Sequence, residues 1–144
     1  LFNVKKLLEK KKIKFQKLPR KRKILITDCD VDFVSGMEKV LLSNNFEVFV
    51  AESGIEAQKM AQAFSPDLIL LEITLPDKDG YSVCYELKRN PETSQIPIVI
   101  VSCIDNKLVS SDFASRLAKE HRADMYVSKP VEPMELLKTI NQIL

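Results

Sequence analysis

A chain of 144 residues, 45% apolar and 29% charged, has one domain's length and the composition of a folding protein, which excludes a disordered one. The longest apolar runs, such as Leu68 to Leu71, fall far short of the roughly 18 residues a bilayer-spanning helix needs. Three cysteines without a CxxC pair, beside the one histidine His121, argue against a disulfide framework and a structural zinc site and suit a reducing cytoplasm.

The net charge of +2 is unevenly spread. Residues 1–23 hold eleven Lys or Arg against Glu9 alone, which leaves eleven of the 22 bases and nineteen of the 20 acids for residues 24–144. A basic segment therefore precedes an acidic domain. Val4, Leu7, Leu8 and Lys11 have the spacing of a short amphipathic helix and Pro19 ends the segment. Residues 1–22 are read as a basic linker or the tail of an upstream segment, with a first residue of leucine pointing to a longer chain, and residues 23–144 as the domain.

From Lys23 onward, apolar runs of strand length alternate with stretches of helical period. Ile24-Leu25-Ile26 predicts a first strand, and Phe33, Met37, Val40 and Leu41 follow the i, i+4, i+7, i+8 spacing of one helical face. Phe46, Val48 and Val50 alternate as a strand, followed by the helical face Ala57, Met60, Ala61 and Phe64. Leu68 to Leu71 is a continuous apolar run, with Val83, Cys84 and Leu87 after it. Ile98 to Val101 precedes Val109, Phe113 and Leu117, and Met125-Tyr126-Val127 precedes Met134, Leu137, Ile140 and Leu144. Breakers such as Asn44-Asn45, Ser53-Gly54, Ser65-Pro66, Asp79-Gly80 and Asn90-Pro91 separate the elements. Five βα units of this kind predict a parallel sheet covered by helices on both faces, because continuously apolar strands need burial on two sides.

In such a sheet the chemistry collects at the carboxyl ends of the strands. Asp28-Cys29-Asp30 follows the first strand, Glu72 the third, Ser102 the fourth and Lys129-Pro130 the fifth. Carboxylates, a hydroxyl and a lysine thus converge on one edge from distant parts of the chain. Ile24-Leu25-Ile26-Thr27-Asp28, Pro66 to Glu72, Leu75-Pro76-Asp77-Lys78-Asp79-Gly80, Ile98 to Ser102 and Tyr126-Val127-Ser128-Lys129-Pro130 together resemble the CheY-like response-regulator receiver family. The resemblance runs over about residues 23 to 144 and implies a flavodoxin-like, doubly wound α/β fold with sheet order 2-1-3-4-5.

It also implies a reaction. In the family an aspartate after the third strand takes a phosphoryl group from a histidine kinase, acids after the first strand hold Mg²⁺, and the lysine and hydroxyl bind phosphoryl oxygens. By that resemblance Glu72 stands at the acceptor position, Ser102 and Lys129 bind the phosphoryl group, Ser102 and Tyr126 are the switch pair, and Asp28, Asp30 and Glu72 are the metal candidates. Two departures fall on the chemistry. Glu72 replaces the acceptor aspartate, and its extra methylene moves the carboxylate by upwards of about 1 Å, where near-attack alignment tolerates little error. Cys29 replaces the direct metal ligand, and a neutral thiol does not substitute for a hard oxygen on Mg²⁺. The expectations are weak Mg²⁺ binding or none, no other cofactor, and an ion pair between Glu72 and Lys129.

Three further features are weighed in the same way. Cys29 and Cys103 both fall near the site edge, but the third strand lies between theirs, which argues against a direct disulfide. Arg122 stands where the family has a glycine that ends the fourth helix in a left-handed conformation, so a remodelled helix or loop is expected there. The basic segment suggests nucleic acid, but no helix-turn-helix follows the domain. The sequence thus reads as a cytoplasmic bacterial receiver-like signalling module, not an enzyme. It would act on protein partners through the region between Ser102 and Leu144, independently of phosphorylation. The alternatives are an atypical regulator that accepts phosphoryl from a histidine kinase on Glu72, and a nucleic-acid-associated regulator using the basic arm.

Overall fold

The computed structural model describes residues 20–103 and 122–144. Five strands, β1 (Lys23–Thr27), β2 (Glu47–Ala51), β3 (Leu68–Leu71), β4 (Ile98–Ser102) and β5 (Met125–Ser128), form one sheet in the order β2-β1-β3-β4-β5. Every pairing is parallel. The helices among the described residues are α1 (Val31–Ser43), α2 (Gly54–Phe64), α3 (Gly80–Arg89) and α4 (Pro133–Ile143). The predicted fold and strand order are those observed. The helical pattern at Val109, Phe113 and Leu117 and that at Val4 to Lys11 lie outside the described residues.

The alternation of side chains along the central strands divides the core in two. Leu25, Ile69, Leu71, Ile98 and Ile100 pack with Ala57, Ala61, Val83, Cys84 and Leu87 of α2 and α3. Ile24, Ile26, Leu68, Leu70, Val99 and Val101 pack with Met37 and Leu41 of α1 and Leu136, Leu137 and Ile140 of α4. β1, β3 and β4 are buried along nearly their whole length, and each fully buried Leu or Ile contributes about 1.5–3 kcal/mol. This two-sided burial is why β3 reads as an unbroken apolar run.

Two details differ from the sequence pattern. Met134, expected on the core face of the last helix, lies in its first turn and is exposed; Leu136 is buried beside Leu137 and Ile140 instead. Phe64 is two-fifths exposed and closes the edge of the core by stacking on Phe49, ring centroids 4.4 Å apart. Helix starts follow from side-chain caps: Asp30 accepts the Asp32 and Phe33 N–H groups, Ser53 that of Glu56, and Asp79 that of Ser82.

Arg122 has φ 57°, so arginine itself occupies the left-handed position expected of glycine. A non-glycine residue there bears about 1–2 kcal/mol of backbone strain.

Candidate functional site

The parallel register brings the strand ends level. Thr27 pairs with Leu71 and Ser102 with Ser128, so the residues that follow these strands share one rim of the sheet. Asp28, Cys29, Asp30, Glu72, Thr74, Ser102, Cys103 and Lys129 line a single open cavity of about 570 Å³ at this rim.

Glu72 is the centre of the cluster. It is only 8% exposed, although it carries a carboxylate. Its Oε1 accepts the backbone N–H groups of Ile73 at 2.8 Å and Thr74 at 3.2 Å, and the Ser102 hydroxyl as well. Its Oε2 lies 3.0 Å from Lys129 Nζ. Burial of an unpaired carboxylate is prohibitive, and here four donors compensate it.

Lys129 serves more than one acid. Its Nζ donates to Asp28 Oδ2 at 2.7 Å, stands 3.9 Å from Asp30 Oδ2, and lies over the Phe33 ring 4.3 Å from the centroid. Burial by itself lowers the lysine pKa, but hydrogen bonds to Asp28 and Glu72 outweigh it and hold the ammonium above its ordinary range. Asp28 in turn accepts the Asp30 N–H at 2.9 Å, which fixes the β1–α1 turn.

The backbone after Glu72 is held from two sides. Gly80 N–H donates to the Ile73 carbonyl at 2.7 Å, and a β-carbon at Gly80 would come within 2.2 Å of the Glu72 carbonyl oxygen. Only glycine allows this approach. Asp77 accepts the N–H groups of Gly54 at 2.7 Å and Ile55 at 2.8 Å, which ties the β3–α3 loop to the start of α2. Those two bonds hold the Asp77 carboxyl below its usual range.

The structure therefore gathers Asp28, Asp30, Glu72, Ser102 and Lys129 at one place. Tyr126 does not line this cavity: it is two-fifths exposed on β5, and burial, with Tyr81 and Cys84 nearby, pushes its phenol up to about 12. The pattern of chemical residue types alone did not reveal Phe33 beneath the ammonium, the two N–H groups beyond Glu72, or the clamp made by Asp77. Asp77 sits within the Leu75 to Gly80 motif, which was the available signal.

These residues do not suit Mg²⁺. Among the described residues, no group of three or more His, Cys, Asp or Glu side chains is arranged to hold a metal ion. Cys29 Sγ donates to the Glu52 carbonyl at 2.9 Å, and burial followed by the nearby Asp28 raises the thiol pKa, which favours the neutral form. The Lys129 ammonium already lies among the three carboxylates. Cys29, Cys84 and Cys103 are all free thiols.

Comparison with known proteins agrees with this geometry. The family model for the response regulator receiver domain matches residues 24–141. The chain belongs to the response regulator receiver family. This receiver is 35% identical over 125 residues to the probable transcriptional regulator ycf27 of Cyanophora paradoxa, covering 86% of the chain and 48% of that protein. It is 31% identical over 122 residues to PilH of Pseudomonas aeruginosa, covering 85% of the chain and 97% of PilH. The crystal structure of a putative response regulator from Chloroflexus aurantiacus superposes with a TM-score of 0.74 at 30% identity, covering 85% of this chain and 97% of that one. The receiver spans about half the length of several curated relatives, including the transcriptional regulatory protein PhoP of Bacillus subtilis, of which it covers 48%. It is thus a receiver domain of two-component signalling. No described helix is long and apolar enough to cross a membrane.

Proposed function

We propose that this receiver is a pseudo-receiver: a cytoplasmic signalling module that acts by protein–protein contact and does not depend on phosphotransfer. The observation that carries the reading is the engagement of Glu72 by Ser102, Lys129 and the Ile73 and Thr74 N–H groups. In the family the hydroxyl and lysine hold phosphoryl oxygens; here they hold the carboxylate oxygens of the residue at the acceptor position. A nucleophile must present a free lone pair in line with the phosphorus, and here three donors crowd Glu72 Oε1 while Lys129 holds Oε2 in a fixed orientation. Displacing them would leave buried donors unpaired, at about 1–3 kcal/mol for each.

Cys29 supports the same reading, because a neutral thiol turned towards Glu52 supplies no hard ligand to offset phosphoryl charge. The carboxylate that occupies the cradle would fix one state of the strand-end rim. Partners would then read the surface between Ser102 and Leu144, of which β5 and α4 are described.

Beryllofluoride with Mg²⁺ tests this proposal, since it forms a phosphoryl mimic only on an accessible acceptor carboxylate beside a bound metal. The amide resonances of Ser102, Cys103 and Tyr126 are expected not to move on its addition. A saturable shift centred on Glu72, Ser102 and Lys129 would show a working acceptor site and overturn the reading.

A further inference from the structure

At the end of the sheet opposite Glu72, Lys88, Arg89, Pro91, Ser94, Gln95, Arg122 and Asp124 line an open cleft of about 530 Å³. Residues 24–144 carry eleven bases against nineteen acids, yet three of those bases meet here with one acid. Arg89 and Arg122 are both of the arginines in that acidic part that the structure describes. Positive charge on this domain is scarce, and it is concentrated.

The acid in the cleft is already compensated. Asp124 Oδ2 accepts the Ile98 N–H at 2.7 Å and the Lys88 ammonium at 2.9 Å, and Lys88 also donates to the Ile96 carbonyl at 2.8 Å. Lys88 is thereby held in place as a fixed wall. Arg89 donates to the Tyr85 hydroxyl at 2.8 Å and lies 5.1 Å from the Tyr85 ring centroid, so its guanidinium is held on an aromatic face. Among the described residues neither Arg89 nor Arg122 has a carboxylate partner.

The ordinary explanation covers only part of this. Lys88 and Arg89 lie in the last turn of α3, where cations complement the helix dipole. Arg122 is not part of that helix, and it keeps a left-handed backbone that glycine would adopt without strain. Its side chain adds a second guanidinium to the cleft and gains nothing for the backbone.

We propose that this cleft is an anion site for a phosphate-bearing ligand. Two guanidinium groups match phosphate oxygens bidentately, and the Ser94 hydroxyl and Gln95 amide are further donors on the same wall. Free phosphate and the phosphate of a nucleotide share this chemistry.

The test is a residue-resolved NMR titration of the full chain with pyrophosphate, with AMP in a parallel series, at matched ionic strength. Saturable shifts at Ser94, Gln95 and Arg122 are expected, with a dissociation constant of about 1 mM or tighter. Tighter binding of AMP would mark a nucleotide, and tighter binding of pyrophosphate would mark phosphate alone; either order supports the site. Arg122→Gly, which relieves the backbone, is expected to keep or raise the melting temperature and weaken binding by about tenfold or more. Arg89→Gln is expected to do the same to binding. Shifts confined to residues 1–22, shifts that do not saturate, or wild-type affinity in Arg122→Gly would overturn the proposal.

Discussion

The Lys129 ammonium stands 3.0 Å from the Glu72 carboxylate, and the two side chains are 7% and 9% exposed. An ion pair this buried is held less by Coulomb attraction alone than by the hydrogen bonds that complete it on both sides. Lys129→Met therefore leaves Asp28 and Glu72 as buried acids without a counter-ion. It is expected to destabilise the fold by about 3–5 kcal/mol, read as a lower denaturant midpoint with an unchanged slope.

The same pair predicts behaviour in alkali. The Lys129 pKa is raised on folding, so its contribution is complete below the unfolded value of 10.5 and is lost as pH rises through the higher folded value. Wild-type stability is expected to fall above about pH 10.5, and the Lys129→Met variant to lack that part of the fall. Denaturant midpoints measured from pH 8 to 12 check this.

On the acid side Asp67 is the group to watch. Burial by itself raises its pKa, but the Lys23 N–H at 2.7 Å and the Arg20 guanidinium outweigh it and hold the carboxyl below 3.8. A lowered folded pKa gives stability that is present above the unfolded value and lost as pH falls through the folded one. Asp67→Asn is expected to be less stable than wild type at pH 7, with the two curves converging as pH falls below the unfolded value of 3.8 and through the lowered folded one. Because Arg20 is mostly exposed, the gap at pH 7 is expected to shrink in high salt.

Gly80 carries a steric prediction. A β-carbon 2.2 Å from the Glu72 carbonyl oxygen and 2.7 Å from Ile73 Cα meets backbone, which cannot yield as a flexible side chain would. Gly80→Ala is expected to cost about 3 kcal/mol and to shift the amide resonances of Ile73 and Thr74, whose N–H groups hold Glu72. A variant as stable as wild type would show that α3 can move away from the strand end freely.

Much of this architecture was legible in the amino-acid sequence for a physical reason. Strands buried on both faces are written as unbroken apolar runs, such as Leu68 to Leu71, and helices as periodic ones, such as Phe33 to Leu41. The polar residues that follow those runs fall on one rim once the strands are parallel, so Asp28, Glu72, Ser102 and Lys129 could be named in advance. What escaped depended on side-chain reach and not on residue type. Phe33 reads as a core position, yet its face supports the Lys129 ammonium. Asp77 reads as a loop residue, yet both of its oxygens cap a helix that precedes it in the chain. Met134 followed the helical period but fell on the first turn of the last helix, where it is exposed.

The central claim is that Glu72 and Cys29 together remove phosphoryl transfer, one by misplacing the nucleophile and the other by withholding a hard ligand. Intact-mass measurement after incubation with acetyl phosphate and Mg²⁺ tests it most directly. Wild type is expected to gain no phosphoryl group. Glu72→Asp alone is expected to gain little, and the Cys29→Asp, Glu72→Asp double variant to gain one group, since Asp28, Ser102 and Lys129 are already in position. A phosphoryl group acquired by wild type on Glu72 would contradict the account.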